Sequence, residues 1–437
     1  MTIIINKPIS LADIDENGNV CIELKLNIEQ ITIEPEVKPE PEPVEPPEPI
    51  LGQVLFDEDI ALIQPISTPY DVKFPLGLLA QFNMEYKGAF RPYSKNSVSS
   101  SNYAQGALAY CADRQSIFMA GHDKERSVAE YKIPEALTIT DVVKDMPVAE
   151  CLQNYVSVLP PKSYKRNLQI TGLLAYQDSL IVTHGSWYDG GGSYSTDIQA
   201  FNITDINQEH SPLRNLQGNA YAAGYMSAIP DDAQSKLGGD FLVGWASNKS
   251  ITGRYSQGPS LYTLKPQDVI DNEIVSTSAK QYYPMELGKM LVDGAHHTRN
   301  KDVSPIWGPM SKANYGFIVP NSNIFVLLGS HAGIHSGIFY KEDKEQNTRR
   351  TSGSATYDAS DYYNYYWLYN VDEILAGESP WSTKPFSYGK LNLPFKGHLN
   401  SATFDGNETL YITVSHAGAV GKYDRPPLIL SYSITAK

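Results

Sequence analysis

Five segments of this chain repeat one pattern, and that repetition constrains the fold more than any local feature does. They are SIFMAGHD (116–123), SLIVTHGS (179–186), DFLVGWAS (240–247), IFVLLGSHAG (324–333) and LYITVSHAG (410–418). Each is a short apolar run followed by a small residue and then an imidazole or indole. The aligned rings are His122, His184, Trp245, His331 and His416. Before each run lies another short apolar segment and a turn: GALAYCADRQ, TGLLAYQD, GYMSAIPDDAQSKLGG, ANYGFIVPNSN and LNSATFDGNE. After it, past a loop, lies a third: SVAEYKIP, DIQAFNIT, SLYTLKP, YYWLYNV and LILSYSI. A weaker fourth follows in AECLQNY, AKQYYPM and KPFSYGKLNL. Four short antiparallel strands per unit, joined by Gly/Asp/Asn turns and repeated along a chain, form the blade of a β-propeller.

The aligned rings are 62, 61, 86 and 85 residues apart. A blade needs roughly 40–50 residues, so the units carry extra loop. The excess falls mainly between the second and third strands, where all insertions project from one face of a ring. The expected fold is therefore all-β, a five-bladed propeller over residues 66–437, with room for a sixth blade in the weakly patterned stretch 282–309. The last unit lacks a fourth strand of its own. The segment from Asn83 to Tyr93, NMEYKGAFRPY, reads as that strand. Supplying it from the other end of the chain leaves no open edge, and predicts pairing of Glu85–Arg91 with Leu428–Ile434.

Two further regions precede the ring. Residues 1–33 read as a small β anchor: Val20, Ile22, Leu24, Leu26 and Ile28 alternate with polar residues around an Asn17-Gly18 turn. The run Asp13-x-Asp15-x-Asn17-Gly18 imitates the start of a calcium loop. Its twelfth position is Leu24 rather than a bidentate Glu, so a hairpin is the better reading. So small a module gains stability by docking or by oligomerising. Residues 34–50, EPEVKPEPEPVEPPEPI, alternate Glu with Pro and form a polyproline II spacer of about 3.1 Å per residue.

The net charge of −14 comes with no basic stripe, so no nucleic-acid partner is expected. No run of 18 apolar residues occurs, so no membrane span is expected, and the amino terminus lacks the pattern of a secretory signal. Synthesis in a cytoplasm without a signal peptide is the expectation. Cys21, Cys111 and Cys151 have no metal-binding spacing and are expected as thiols.

The phrases GAFRPYS, GALAYCADRQSIFMAGHD with VAEYKIP, YYWLYNVDEILAG, and NSATFDGNETLYITVSHAG with PLILSYSI resemble those of a group of bacterial and phage-encoded β-propeller proteins. The resemblance spans 83–434 and implies the fold but no activity. The sequence of anchor, stiff spacer and large domain is similar to the layout of a phage virion appendage. That layout implies attachment to other virion proteins through residues 1–33, an oligomer, and display on the virion surface.

Candidate ligand-binding residues follow from the repeat. His122, His184, Trp245, His331 and His416 either bond to backbone structurally or converge on one mouth of the central channel, where imidazoles near neutrality could bind or catalyse. Zinc held by three imidazoles would require a closer approach than a ring of blades usually permits, and no cofactor is expected. Around that mouth the loops add Trp187 and Tyr188, Arg254 and Tyr255, and His335. The pairs His296-His297 and Arg349-Arg350 lie in neighbouring loops. Aromatic faces beside hydrogen-bonding groups suit carbohydrate. Tyr365, Trp367 and Tyr369 share one strand face and read as packing. No G-x-S-x-G elbow, phosphate loop or dinucleotide fingerprint occurs. The leading expectation is adhesion to a host or environmental glycan. The alternatives are a polysaccharide lyase using His184, Tyr188 and Arg254, and a decoration protein with a purely structural role.

Overall fold

A computed structural model describes residues 81–104, 106–122, 124–158, 168–186, 197–245, 258–283, 304–308, 310–336, 359–377, 379–421 and 424–437, with the backbone of a few short strands between 338 and 349. The expected anchor and spacer, and the candidate calcium loop, lie outside the described residues.

The fold is a five-bladed β-propeller. Blade 1 consists of Leu108–Cys111, Ser116–Ala120, Ser127–Lys132 and Cys151–Ser157, from inner to outer strand. Blade 2 consists of Leu168–Tyr176, Ser179–Ser186, Asp197–Asn202 and Arg214–Leu216. Blade 3 consists of Tyr225–Ala228, Phe241–Gly244, Leu261–Leu264 and Thr277–Gln281. Blade 4 consists of Lys312–Ile318, Ile324–Ala332, Tyr362–Asn370 and Ser387–Lys390. Blade 5 consists of Leu399–Phe404, Thr409–Val414, Leu428–Ala436 and, from the far end of the chain, Phe82–Pro92. Consecutive inner strands touch around the ring, and blade 5 meets blade 1. The described part of 282–309 forms no strand of a sixth blade.

The closing strand pairs as the sequence predicts. Met84 lies opposite Ile434, Glu85 opposite Ser433, Ala89 opposite Leu430 and Phe90 opposite Ile429. The register shifts between Tyr86 and Gly88. Gly88 has φ +124° there, and a Cβ at that position would press on the Leu137 side chain and the Thr138 carbonyl. Glycine is what lets the strand bulge while staying against blade 1.

The core is a set of layers between blades. Phe118 and Val128 of blade 1 pack with Leu173, Leu180 and Val182 of blade 2. Ile181 of blade 2 packs with Met226 and Val243 of blade 3. Phe90, Tyr411 and Ile429 of blade 5 pack with Leu108, Ile117 and Tyr131 of blade 1. Both faces of a blade are therefore buried, and strands there read as continuous apolar runs. The segment Tyr365 to Tyr369 shows this: Tyr366 and Leu368 are as buried as Tyr365, Trp367 and Tyr369. Two of its polar tips are satisfied: Tyr365 Oη donates to the Pro305 carbonyl at 2.7 Å and Trp367 Nε1 to the Ile306 carbonyl at 2.6 Å.

A second regularity ties the blades at their rims. The connection between the third and outer strands of one blade docks on the outer strand of the blade before it. Val148–Ala149 of blade 1 pairs in parallel with the closing strand of blade 5. Ile274–Val275 of blade 3 pairs in parallel with Arg214–Leu216 of blade 2. In blade 2 the Ile206 amide donates to Gln153 Oε1 on blade 1's outer strand. In blade 4 the Thr383 carbonyl accepts from Tyr283 Oη, just past blade 3's outer strand. These contacts blunt edges that would otherwise pair with another chain. Cys111 is a buried free thiol and Cys151 a half-buried one.

Replacing Phe90 with alanine removes a fully buried ring from the closing strand and should cost about 3–5 kcal/mol, read as one cooperative transition in denaturant titration. Tyr93→Ala, just beyond that strand at an exposed position, should change stability by less than about 0.5 kcal/mol.

Candidate functional site

All five inner strands begin at one end of the ring, and all five second strands finish there. The second-to-third connections leave from that end as well, among them the blade 4 connection, which carries the small sheet Ile338–Phe339, Glu342–Asp343 and Thr348–Arg349. The elaborated face is therefore the face where the channel opens. A cavity of about 310 Å³ lies in this mouth and takes residues from every blade. Its floor is set by Gly106 and Ala107, Gln169 to Thr171, Gly224 and Tyr225, Lys312 to Asn314, and His398 to Ser401.

Two of the aligned rings line the cavity. His122 is half-buried, one residue beyond Gly121 at the end of blade 1's second strand. Its Nδ1 accepts from the Lys124 amide at 3.2 Å. Trp245 occupies the matching place on blade 3 and is 7% exposed. Its amide donates to Ser260 Oγ at 2.7 Å, and its ring lies over Gly185 of blade 2. The small residue before the ring has a physical reason here. A Cβ on Gly244 would collide with the Ser260 carbonyl and with Tyr225 Oη.

His416 stands beside the mouth. It is half-buried at φ +59°, and Tyr103 lies edge-on to both His416 and His122, with centroids 5.4 and 5.8 Å away. Tyr103 thereby joins the ring ends of blades 5 and 1. Burial, and then the Arg425 charge, lower the pKa of His416.

His184 and His331 do not line the cavity. His184 is fully buried in blade 2, across the strand pair from Asp197. His331 is 1% exposed, with Nδ1 2.9 Å from Ser311 Oγ and Nε2 2.9 Å from the Ser304 carbonyl. A carbonyl only accepts, so Nε2 carries the proton and Nδ1 accepts from the Ser311 hydroxyl. Burial lowers the pKa of this imidazole to about 4, outweighing the Ser304 hydrogen bond and the Asp361 charge. His331 is a neutral strut that ties blade 4 to the segment entering it. His335 is half-buried outside the cavity, its amide held by Asp361, and its pKa is lowered by burial and then by Lys390. Trp187, Tyr188, Arg254 and Tyr255 lie outside the described residues, as do His296, His297 and the side chains of Arg349 and Arg350.

The cavity also holds residues that the repeat does not reveal. Arg126 sits at φ +55° in the tight turn before blade 1's third strand. Lys312 opens blade 4's inner strand. Asn400 lies on the inner strand of blade 5, and His398 just precedes that strand. Tyr362, on blade 4, sets its ring edge against His398 at 4.8 Å and donates to Ser330 Oγ at 3.0 Å. Desolvation by the cavity wall, then Lys312 and then His416, lower the pKa of His398. Arg126 Nη1 and Asn400 Nδ2 are buried donors with no acceptor among the described residues. No group of three or more His, Cys, Asp or Glu side chains is placed to hold a metal among the described residues.

No protein-family model matches the sequence, and no curated protein does. Solved propellers are similar in fold. The PQQ-bound aldose sugar dehydrogenase of Streptomyces coelicolor shares 11% identity at a TM-score of 0.37, over 82% of this chain and 99% of that one. The Bacillus subtilis arabinanase shares 13% at 0.37, over 79% and 96%. The Cellvibrio cellulosa α-L-arabinanase shares 10% at 0.36, over 77% and 95%. Likeness at this level speaks to fold alone.

The lowered pKa of His331 has a signed consequence. Between the ordinary value of 6.5 and about 4, the unfolded chain binds a proton that the folded chain refuses. Unfolding free energy should therefore fall as pH drops through that window, by about 3 kcal/mol from this group. His331→Gln should be less stable at pH 7 and show a shallower slope between pH 6.5 and 4, measured by denaturant titration across pH.

Proposed function

We propose that this chain is a binding protein that takes glycan in the channel mouth, displayed on a virion surface through its N-terminal anchor and spacer. The observation that carries the reading is the cavity itself. It is open, shared by five blades, and set on the face where every second-to-third connection emerges. Its wall alternates rings with hydrogen-bonding groups: Trp245, Tyr362, His122 and His398 beside Gln169, Asn314, Asn400 and Ser401. Sugars have apolar faces and hydroxyl edges, and such a wall matches both. The backbone ladder makes the wall rigid, so little entropy is lost on binding.

The virion setting draws on the run of anchor, Pro/Glu spacer and propeller in the sequence. A spacer of alternating proline and glutamate holds a head away from its base, which suits an adhesin. A lyase built on His184 has no support from the geometry, because that imidazole is enclosed within blade 2.

The test is an array of envelope and extracellular polysaccharides probed with the full chain. Saturable binding without release of reducing ends is expected. Trp245→Ala and Tyr362→Ala should each weaken binding by about tenfold or more, as loss of a stacking ring does, with a retained cooperative melt as the folding control. Absence of binding across the array contradicts the reading, and depolymerised product would replace it with catalysis. In virion preparations, deletion of residues 1–50 should abolish particle association.

A further inference from the structure

The two ends of the channel are charged oppositely. Among the described residues, the glycan-facing mouth is lined by Arg126, Lys312, His122 and His398 and by no carboxylate. At the other end, a second cavity of about 240 Å³ is lined, among the described residues, by Asp113 and Asp405 and by no lysine, arginine or histidine. The Asp405 carboxylate is held there by the amides of Asn407, Glu408 and Thr409. The chain as a whole carries −14, so a cationic mouth runs against its average composition.

These cations are not structural pairs. Neither Arg126 nor Lys312 forms an ion pair with a described residue. By contrast, the buried Glu130 of the same blade as Arg126 is fully matched by Arg114, Ser116 and Gln153. The protein thus pairs a charge where the charge serves the fold, whereas Arg126 and Lys312 have no counter-ion among the described residues where they line the cavity. The Arg126 backbone is also held at a positive φ, a conformation that costs free energy for a side chain of this size and tends to occur where function demands it.

From this we infer that the ligand is an acidic glycan, a polymer whose sugars carry carboxylate or sulfate groups, and that Arg126 and Lys312 together receive one such group. A guanidinium presents a planar fork to a carboxylate or sulfate, and an ammonium adds a second charge from another blade. Field lines from two cations in a walled cavity also draw a polyanion toward this end, while the acidic far end repels it. The inference rests on the glycan reading and narrows it from carbohydrate in general to charged carbohydrate.

The test titrates the full chain with three polymers of similar length: polygalacturonate, dextran sulfate and unsubstituted dextran. At least one charged polymer should bind about tenfold or more tightly than dextran, and its affinity should fall as sodium chloride rises. The double variant R126Q/K312M should lose about tenfold or more of that affinity with an unchanged melting temperature. D113N, at the opposite mouth, should bind as the parent does. Equal binding of dextran overturns the charge inference and leaves the glycan reading standing. Full competition by inorganic sulfate at matched anion concentration shows a bare anion site and overturns it. Retained affinity in R126Q/K312M overturns it too. Failure of every polymer to bind overturns this inference and the glycan reading together.

Discussion

The fold depends on one strand pairing. Phe82–Pro92 and Leu428–Ala436 come from opposite ends of the described chain and lie antiparallel over most of their length. Without that pairing blade 5 would be three strands with an open edge, and the apolar layer between blades 5 and 1 would lose Phe90. Loop-closure cost grows only slowly with loop length, so joining residues more than three hundred apart is affordable in entropy once the intervening blades have formed. Closure then fixes the position of every inner strand relative to its neighbours. The channel mouth is a product of that closure, since its wall takes one segment from each blade.

The rim contacts act in the same direction. Each described connection between third and outer strand reaches back to the preceding blade, through a parallel bridge at Val148–Ala149 and Ile274–Val275 and through the side chains of Gln153 and Tyr283. A ring held both at its hub and at its rim resists splaying. A stiff ring can hold the strained backbones of Arg126 and His416 at its mouth, because the surrounding blades over-determine them.

Much of this was legible in the sequence, for a physical reason. Blades repeat, so the apolar runs ending at His122, His184, Trp245, His331 and His416 announce their number. The missing fourth strand of the last unit announces the closing strand. The repeat also implies that its ring residues share one end of the molecule, and they do. It cannot say which of them meet solvent. His122 and Trp245 line the cavity while His184 and His331 are enclosed, and that difference depends on how tightly each neighbouring blade packs. Arg126, Lys312, His398 and Asn400 lie outside the aligned apolar runs, and the residue types at the starts of the inner strands differ from blade to blade. Their meeting is a matter of three-dimensional closure, and the only trace in the sequence is that each flanks or begins a strand.

The central claim is that one ligand is received by all five blades at the cationic end of the channel. Hydrogen–deuterium exchange of the full chain with and without saturating polygalacturonate or dextran sulfate tests it most directly. The account predicts slowed exchange near the starts of all five inner strands, around residues 106–107, 169–171, 224–225, 312–314 and 398–401, with no change around Asp113 and Asp405. Protection confined to the outer strands, or centred on the acidic end, would contradict it.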